Sequence, residues 1–140
     1  MEITVEHNTR AAQLAMHSLP CSIDHNGPAN ISSYFLVESD TASGVHAAKF
    51  RGRQLAGITA QVPSGLVGAL LRESRPALTD QEARTLDVAG QFREFTLWNL
   101  ETPPTAQADM MRALHAIEVA AILHGNDDDP QPPQSETPSA

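Results

Sequence analysis

Residues 92–104, with the sequence FREFTLWNLETPP, constrain the fold more than any other stretch of the chain. They contain the only Trp of the protein and two of its four Phe residues. In an extended strand the side chains alternate between two faces, so Phe95 and Leu97 lie on one face. Trp98 and Leu100 lie on the other. Both faces are apolar, so we expect this strand to be covered on both sides, within one core or by another chain.

The composition predicts a single domain with a thin core. A chain of 140 residues is one domain's worth, and its hydrophobic fraction is 41%, but aromatic residues make up only 4%. The core must therefore consist mainly of Leu, Val, Ile and Ala. The formal net charge is -8, with nine Lys and Arg residues together. Domains that bind nucleic acid by themselves usually carry a basic surface, so the charge disfavours that function.

The cysteine content and the N-terminal segment predict an intracellular protein. The single cysteine, Cys21, cannot form an intrachain disulfide, which fits a reducing compartment such as the cytosol or nucleus. No electropositive neighbour is evident beside Cys21, so we expect a small buried residue and not a catalytic thiol. The N-terminus lacks the features of a signal peptide, and no window approaches about 18 uninterrupted apolar residues. We expect a soluble protein that does not associate with a membrane.

The N-terminal third is expected to form a meander of short strands. The apolar patterns predict strands at residues 2–5, 16–23 and 31–38, while residues 9–16 fit either a loop or a helical turn. Pro20 lies in the second of these strands and cannot donate to a ladder, which places that strand at an edge or a bulge. The DHNGP sequence at residues 24–28 predicts a turn, because Asn26 and Gly27 tolerate positive φ.

Residues 45–53, VHAAKFRGR, have the alternation of a strand. The period of two places Lys49, Arg51 and Arg53 together on one face as a basic stripe. Three interpretations of this stripe stay open. It can be a solvated outer face, it can meet acidic groups of a partner protein, or it can contact phosphate. Phosphate contact by three cations on an acidic chain is expected to be weak and salt-sensitive.

The middle of the chain predicts a curled sheet. Gly52 and Gly57 indicate bulges or tight bends, and a sheet that curls in this way favours a barrel. Residues 62–65, VPSG, predict a turn with Pro at its second position. Residues 66–71 predict a further strand or a short buried helix, and we favour the strand. Residues 76–90 lack aromatic residues, and we expect a long connection there with at most one helical turn.

The C-terminal part predicts one long helix followed by a tail. Residues 105–124 carry apolar side chains at three- and four-residue spacing, with Thr105 as the expected N-cap and Gly125 as the residue that ends the helix. Such a stripe is more often core than binding groove, although it also suits a partner. Residues 126–140 contain four Pro and four acidic residues, which predicts a disordered tail. We therefore divide the chain into a domain of residues 1–125 and a tail of residues 126–140.

The sequence shows no constellation typical of an enzyme. Its six His residues include no pair at H-x-x-x-H spacing, and one Cys cannot build a recognisable zinc site. No G-x-S-x-G elbow, phosphate-binding loop or G-x-G-x-x-G fingerprint is present. The carboxylates are scattered over expected loops, strand ends and the tail, which disfavours a two-metal site. We expect no catalytic residue, no metal site and no cofactor in this chain.

Five short motifs occur in a suggestive order. They are LPC at residues 19–21, GP at 27–28, FRGRQLAG at 50–57, VPSGLVG at 62–68 and FREFTLWNLETPP at 92–104. In this order they resemble the family of C subunits of the heterotrimeric eukaryotic ribonuclease H2, and the resemblance spans roughly residues 17–125. The connection at residues 76–90 is shorter and less acidic than in vertebrate relatives. The tail matches no motif of the family.

The resemblance implies a fold that is mainly β with a C-terminal helix (α+β), with strands of a triple β-barrel shared with the B subunit. It implies contact with the catalytic A subunit, which uses Mg²⁺ to cut RNA in RNA–DNA hybrids and to nick DNA 5′ to embedded ribonucleotides. Expected locations and processes are the nucleus, RNA catabolism and ribonucleotide excision repair. No catalytic residue carries over. The expected barrel and interface positions are Lys49, Phe50, Arg51, Gly52, Arg53, Phe95, Leu97, Trp98, Leu100, Met110, Leu114 and Ile117.

Two other functions remain open at this point. A stand-alone small β-barrel that binds single-stranded nucleic acid needs exposed aromatic side chains on a basic face. An unrecognised small enzyme needs a pocket that gathers His and carboxylate side chains. If the chain instead provides part of a shared fold, we expect it to be unstable or to aggregate without its partners.

Overall fold

The computed structural model describes residues 2–6 and 10–125, and this part of the chain is mainly β with one long C-terminal helix. In chain order the elements are β1 (Ile3–Glu6), β2 (Ala12–Gln13), β3 (Met16–Ser18), α1 (Ile31–Tyr34), β4 (Glu38–Ser39), β5 (Val45–Phe50), β6 (Arg53–Gln61), β7 (Gly68–Glu73), β8 (Arg84–Phe92), β9 (Glu94–Leu100) and α2 (Asp109–His124). The predicted α+β class is confirmed. The tail predicted at residues 126–140 lies outside the described residues.

The strands form two open sheets. One has the order β3-β9-β6-β5-β4, in which β3 is parallel to β9 and the other pairs are antiparallel. In the other sheet β8 pairs with β1 and β2 in parallel and with β7 in an antiparallel ladder. Neither sheet closes on itself, so the expected curl into a barrel is not achieved by the described residues of this chain.

Strand β9 lies inside the five-stranded sheet, and its two apolar faces are both covered. Leu97 and Trp98 are 9% and 3% exposed although they point to opposite sides. Trp98 forms a core cluster with Ala48 and Leu55, against which Leu19, Phe35 and Phe50 pack. The prediction that both faces of this strand need cover is confirmed, and much of that cover comes from the chain itself.

Gly57 belongs to this core because Trp98 occupies the space beside it. A Cβ at Gly57 would lie 2.7 Å from Cε3 of Trp98, closer than real side chains approach. Gly57 pairs regularly with Trp98 on one side and His46 on the other, so the prediction of a bulge or bend at Gly57 is wrong. Its role is to admit a large ring. Gly52 does form a tight bend, with φ of 78°.

Two segments differ from the predicted secondary structure in opposite directions. The pattern of residues 31–38 predicts a strand, but α1 occupies their first half, and β4 holds only two residues on β5. A strand requires a neighbouring ladder, and only Phe35 of this segment is anchored in the core cluster. Conversely, the second half of the connection predicted at residues 76–90 belongs to the strand β8, which pairs on both sides. The alternating pattern of this strand is visible in the sequence. The structure follows it, because Val88 and Gly90 are buried while Ala89 between them is exposed.

The smaller elements follow the predictions in part. The strand at residues 2–5 is confirmed as β1, and residues 66–71 overlap β7. Of the strand predicted at residues 16–23, only Met16–Ser18 forms the edge strand β3. The described residues 10–16 are neither loop nor helical turn throughout, because they include β2. The turn near residues 62–65 is confirmed, but the N–H of Leu66 donates to the carbonyl of Pro63 at 3.1 Å, so Pro63 is its first residue. In the turn predicted at residues 24–28, neither Asn26 nor Gly27 has positive φ.

Two further expectations about single residues are wrong, whereas Gly125 ends the helix as predicted. Cys21 is exposed and not a buried core residue. The helix begins at Asp109 with Ala108 as N-cap, because the Thr105 hydroxyl accepts from the N–H of Gln107 within a preceding turn. Gly125 has a right-handed backbone, with φ of −81°. Neither described helix is long and apolar enough to cross a membrane.

Candidate protein interface

Helix α2 is an apolar element that the rest of the described chain does not cover. None of its 16 residues is buried. Leu114 is half-buried, whereas Met110 and Ile117 on the same stripe are exposed. The interpretation of this stripe as core is therefore wrong for this chain, because α2 does not pack into either sheet. The apolar surface of α2 is available to a partner.

The apolar character of α2 extends around its circumference. Val119, Ile122 and Leu123 lie away from the predicted stripe, and Ile122 is 74% exposed. One i,i+3 ion pair, Asp109–Arg112, is described on this helix, and Nδ1 of His115 lies 3.7 Å from Oε2 of Glu118. Exposed pairs of this kind stabilise a helix by only a few tenths of a kcal/mol. A helix that is apolar on most sides is normally buried in an assembly, so α2 has the composition of an interface.

The two sheets also have edge strands that are unpaired on one side. In the four-stranded sheet, β7 pairs only with β8, so its outer edge is open along GALLRE. Leu66, Val67 and Leu71, in or next to β7, are exposed. Open, apolar edge strands are sites of association unless they are covered. Within the described residues, seven apolar residues are buried and seventeen large hydrophobic residues are exposed. This balance is typical of one part of a larger assembly.

The basic residues do not form the predicted stripe. Arg51 and Gly52 are the two central residues of the β5–β6 hairpin, with φ of 49° and 78°. Arg53 begins β6 and pairs with Phe50, so it lies on the face of Phe50 and not on that of Lys49. The prediction fails because a period of two holds only within a continuous strand, and a two-residue turn interrupts it. The cations instead surround the tip of the hairpin.

The remaining predicted site residues fall into two separate places, one around the core cluster of β9 and the end of β5, and the other on α2. Leu97 and Trp98 are buried in this chain and Phe95 is half-buried, whereas Leu100 is exposed at the end of β9. Phe50 is half-buried against the core cluster, next to the exposed hairpin tip. Met110, Leu114 and Ile117 lie on α2. The structure thus brings the members of each group together, but it does not unite them in one site.

Sequence reasoning misses several exposed apolar residues. Tyr34 is 82% exposed, and Leu36 and Val37 beside it are also exposed. The strand predicted for this segment does not identify them as surface residues. Their run of apolar side chains is visible in the sequence, but its exposure depends on how few residues of the segment pair with β5.

Within residues 2–6 and 10–125, no three His, Cys, Asp or Glu side chains are grouped as a metal site.

A ring cluster containing a histidine stabilises the core beside β3. Nε1 of Trp98 donates a hydrogen bond to Nδ1 of His17 at 3.1 Å. The His17 ring also contacts Phe35, with centroids 5.4 Å apart. Burial, assisted by the nearby His46, holds the pKa of His17 below its ordinary value of 6.5. His46 in turn is hydrogen-bonded to Ser39 and Thr59, each at 2.8 Å.

The His17–Trp98 contact predicts a loss of stability in mild acid. Since the folded pKa of His17 is lowered, the unfolded chain binds the proton first as the pH falls. The stabilising contribution is complete above about pH 6.5 and decreases as the pH falls below this value. Protonation of Nδ1 also removes the acceptor of the Trp98 N–H. We expect the midpoint of thermal unfolding to fall between pH 7.5 and pH 5.5 (~2 pH units, spanning the ordinary pKa).

The substitution His17→Gln tests this expectation, because Gln retains an acceptor and does not titrate in this range. The variant should show a smaller decrease of the unfolding midpoint over the same pH interval. His25→Gln is the matched control, since His25 is exposed and its Nε2 contacts only the carbonyl of Pro28 in its own loop. An unchanged pH profile in His17→Gln would contradict the assignment.

Comparison with known proteins agrees with this geometry. Residues 15–87 match the family model described as ribonuclease H2 non-catalytic subunit (Ylr154p-like). The chain is 32% identical to the C subunit of ribonuclease H2 from Mus musculus over 139 residues, covering 81% of this chain and 82% of that protein. It is 28% identical to the C subunit of ribonuclease H2 from Bos taurus over 135 residues, with the same coverage.

The geometry and these relatives lead to one conclusion. An apolar helix and open sheet edges fit a polypeptide that associates with other chains. The family match spans more than half of the chain, and the relatives align over most of it. The chain belongs to the family of non-catalytic C subunits of ribonuclease H2.

Proposed function

We propose that this chain is the scaffold of a ribonuclease H2 heterotrimer, in which it pairs with the B subunit and supports the catalytic A subunit. The uncovered apolar helix α2 is the observation that carries this proposal. A helix of 16 residues is marginal by itself in water, so it needs tertiary or quaternary contacts to be maintained. In the proposed complex, α2 lies against another polypeptide of the heterotrimer.

The open sheets support the pairing with the B subunit. The outer edge of β7 is unpaired, and the edge strand β4 spans only two of the six residues of β5. Strands from a second chain can add to these edges and close the sheets into a shared barrel system. Such an arrangement also explains the thin core, because a fold that is shared between chains buries much of its apolar surface only on assembly.

The proposed activity belongs to the whole complex. The A subunit binds Mg²⁺, cleaves the RNA strand of RNA–DNA hybrids and nicks DNA 5′ to embedded ribonucleotides, while this chain contributes no catalytic residue and no cofactor site. The proposed setting is the nucleus, where the complex acts in ribonucleotide excision repair and in RNA catabolism. Membership of the family supports these assignments.

The alternative of a stand-alone barrel that binds single strands is not supported by the exposure of the aromatic residues. Tyr34 is the one exposed aromatic side chain among the described Phe, Tyr and Trp residues. Phe35 and Phe50 turn into the core cluster around Trp98. Single-strand platforms stack several bases on exposed rings, and one ring does not provide such a platform.

Reconstitution tests the proposal directly. The chain is co-expressed with the A and B subunits, and the mass of the complex is measured by size-exclusion chromatography with light scattering. We expect one copy of each polypeptide, cleavage of a duplex containing one ribonucleotide, and loss of this cleavage when the chain is omitted. A well-folded monomer that ignores both partners, or full activity without this chain, would exclude the scaffold function.

A further inference from the structure

We propose that the tip of the β5–β6 hairpin contacts the phosphate backbone of the nucleic-acid substrate, an inference that rests on the proposed function. The hairpin tip is defined as Lys49, Arg51 and Arg53 around the turn. All three side chains are exposed. Within the described parts of the chain, none of them forms an ion pair with a carboxylate. The tip is thus a local concentration of unneutralised positive charge on an acidic chain.

The hairpin holds these cations in a defined place. Arg51 and Gly52 both have positive φ, which gives the two-residue turn whose twist matches that of the flanking strands. The Arg51 guanidinium lies over the Phe50 ring, with Cζ 5.7 Å from its centroid. Phe50 itself contacts Phe35 in the core cluster, with centroids 6.4 Å apart. The guanidinium is therefore connected to the core through two rings, which lowers the entropy lost on binding an anion.

The surroundings of the tip favour phosphate over a protein surface. Protein interfaces have an apolar centre surrounded by a polar rim. Within residues 38–65 no large hydrophobic side chain is exposed, and the exposed Tyr34 and Leu36 line a hollow with Lys49 but not with Arg51 or Arg53. Contacts to nucleic-acid backbones come instead from exposed Arg and Lys side chains without an apolar centre. Arg51 and Arg53 have these surroundings, and the larger apolar surfaces that suit protein partners lie on α2 and near β7.

The acidic groups nearby limit the size of the contact. Glu38 lines the same shallow hollow as Lys49, and it pairs with Ala47 in the register of the sheet. Phosphates that extended along β5 would meet this carboxylate. The contact is thus confined to about two or three phosphates at the tip, which is too few for binding by this chain alone. It adds affinity only when the A subunit already holds the duplex near the tip.

The test uses the reconstituted heterotrimer and a labelled RNA–DNA hybrid without divalent metal, so that binding is measured without cleavage. Fluorescence anisotropy gives the affinity over a range of salt concentrations for a long duplex that extends well beyond the cleavage site, and for a short one. The variant Lys49→Gln/Arg51→Gln/Arg53→Gln removes the three charges. Its matched control, Arg10→Gln/Arg75→Gln/Arg93→Gln, changes the net charge equally at exposed sites away from the tip and outside β7.

With the tip variant, we expect the slope of log affinity against log salt to decrease by about 2 to 3 for the long duplex, since each phosphate contact contributes about 0.9. The control variant should show the wild-type slope on the long duplex. The tip variant should show the wild-type slope on the short duplex. An intact variant complex with unchanged slope and affinity overturns the inference. Dissociation of the variant complex also overturns it and assigns the tip to a protein partner. Failure of the wild-type chain to assemble would instead refute the proposed function, and the inference with it.

Discussion

Substitution of Trp98 by Ala should lower the free energy of unfolding by about 3 to 5 kcal/mol, because it removes the largest buried side chain and leaves a cavity. Trp98 is 3% exposed, donates to His17 and contacts Phe35 with ring centroids 5.5 Å apart. Gly57 lies against this ring and has no side chain that could fill the space left by its removal. Since whole domains are stable by only about 5 to 15 kcal/mol, we expect most of the variant chain to be lost as aggregate.

Thermal denaturation of the co-expressed complex and the amount of chain recovered in it measure this effect. The matched control is Tyr34→Ala, which truncates an exposed aromatic side chain and should change stability by less than about 1 kcal/mol. A decrease below about 1 kcal/mol for Trp98→Ala would show that the core cluster does not determine the stability of this chain.

The second large effect is expected from a charge on α2. Leu114→Asp places a carboxylate in the centre of the apolar stripe, and burying an unpaired charge at an interface is strongly unfavourable. We expect the affinity of the chain for its partners in the heterotrimer to decrease by a factor of about 100 or more, as for a central interface residue. The two sheets should remain folded, since no residue of α2 is buried by them.

The control for this substitution lies two residues further along the same helix. Ala116→Asp introduces the same charge with a similar cost in helix propensity, but its side chain points away from Leu114. The two variants are compared by co-purification with the A and B subunits and by circular dichroism. If Leu114→Asp assembles as well as Ala116→Asp, the stripe of Met110, Leu114 and Ile117 does not bind a partner.

Agreement between sequence and structure is best where a pattern is local. The alternation in residues 92–104 predicts β9 and its two covered faces, and the 3.6-residue spacing predicts α2 to within a few residues at its start. The family is also evident from the order of the motifs, because short apolar and glycine-containing motifs survive where a packed core restricts the side chains. In each of these cases the information is carried by neighbouring residues.

The failures concern features that depend on what lies beside a segment. Residues 31–38 have apolar residues suited to a strand, but only β4 pairs with a neighbouring strand. The other residues of this segment form α1 and a largely exposed coil. Residues 84–92 are polar and poor in aromatic residues for a strand, yet β7 and β1 pair with them on both sides. The alternation places Arg51 in a strand, although Gly52 beside it indicates a bend, because the pattern does not show that the turn begins at Arg51.

The sequence by itself determined the class of the fold, the central strand, the long helix and the family, since these depend on periodicity and on motif order along the chain. Only the tertiary structure decided which surfaces remain uncovered. Burial depends on elements that are remote in the sequence. Strand β9 is covered because it pairs with β6 and packs in the core cluster, whereas α2 is also apolar but packs against neither sheet. The position of Lys49, Arg51 and Arg53 around a hairpin tip was decided by a turn of two residues, and that turn is set by backbone geometry.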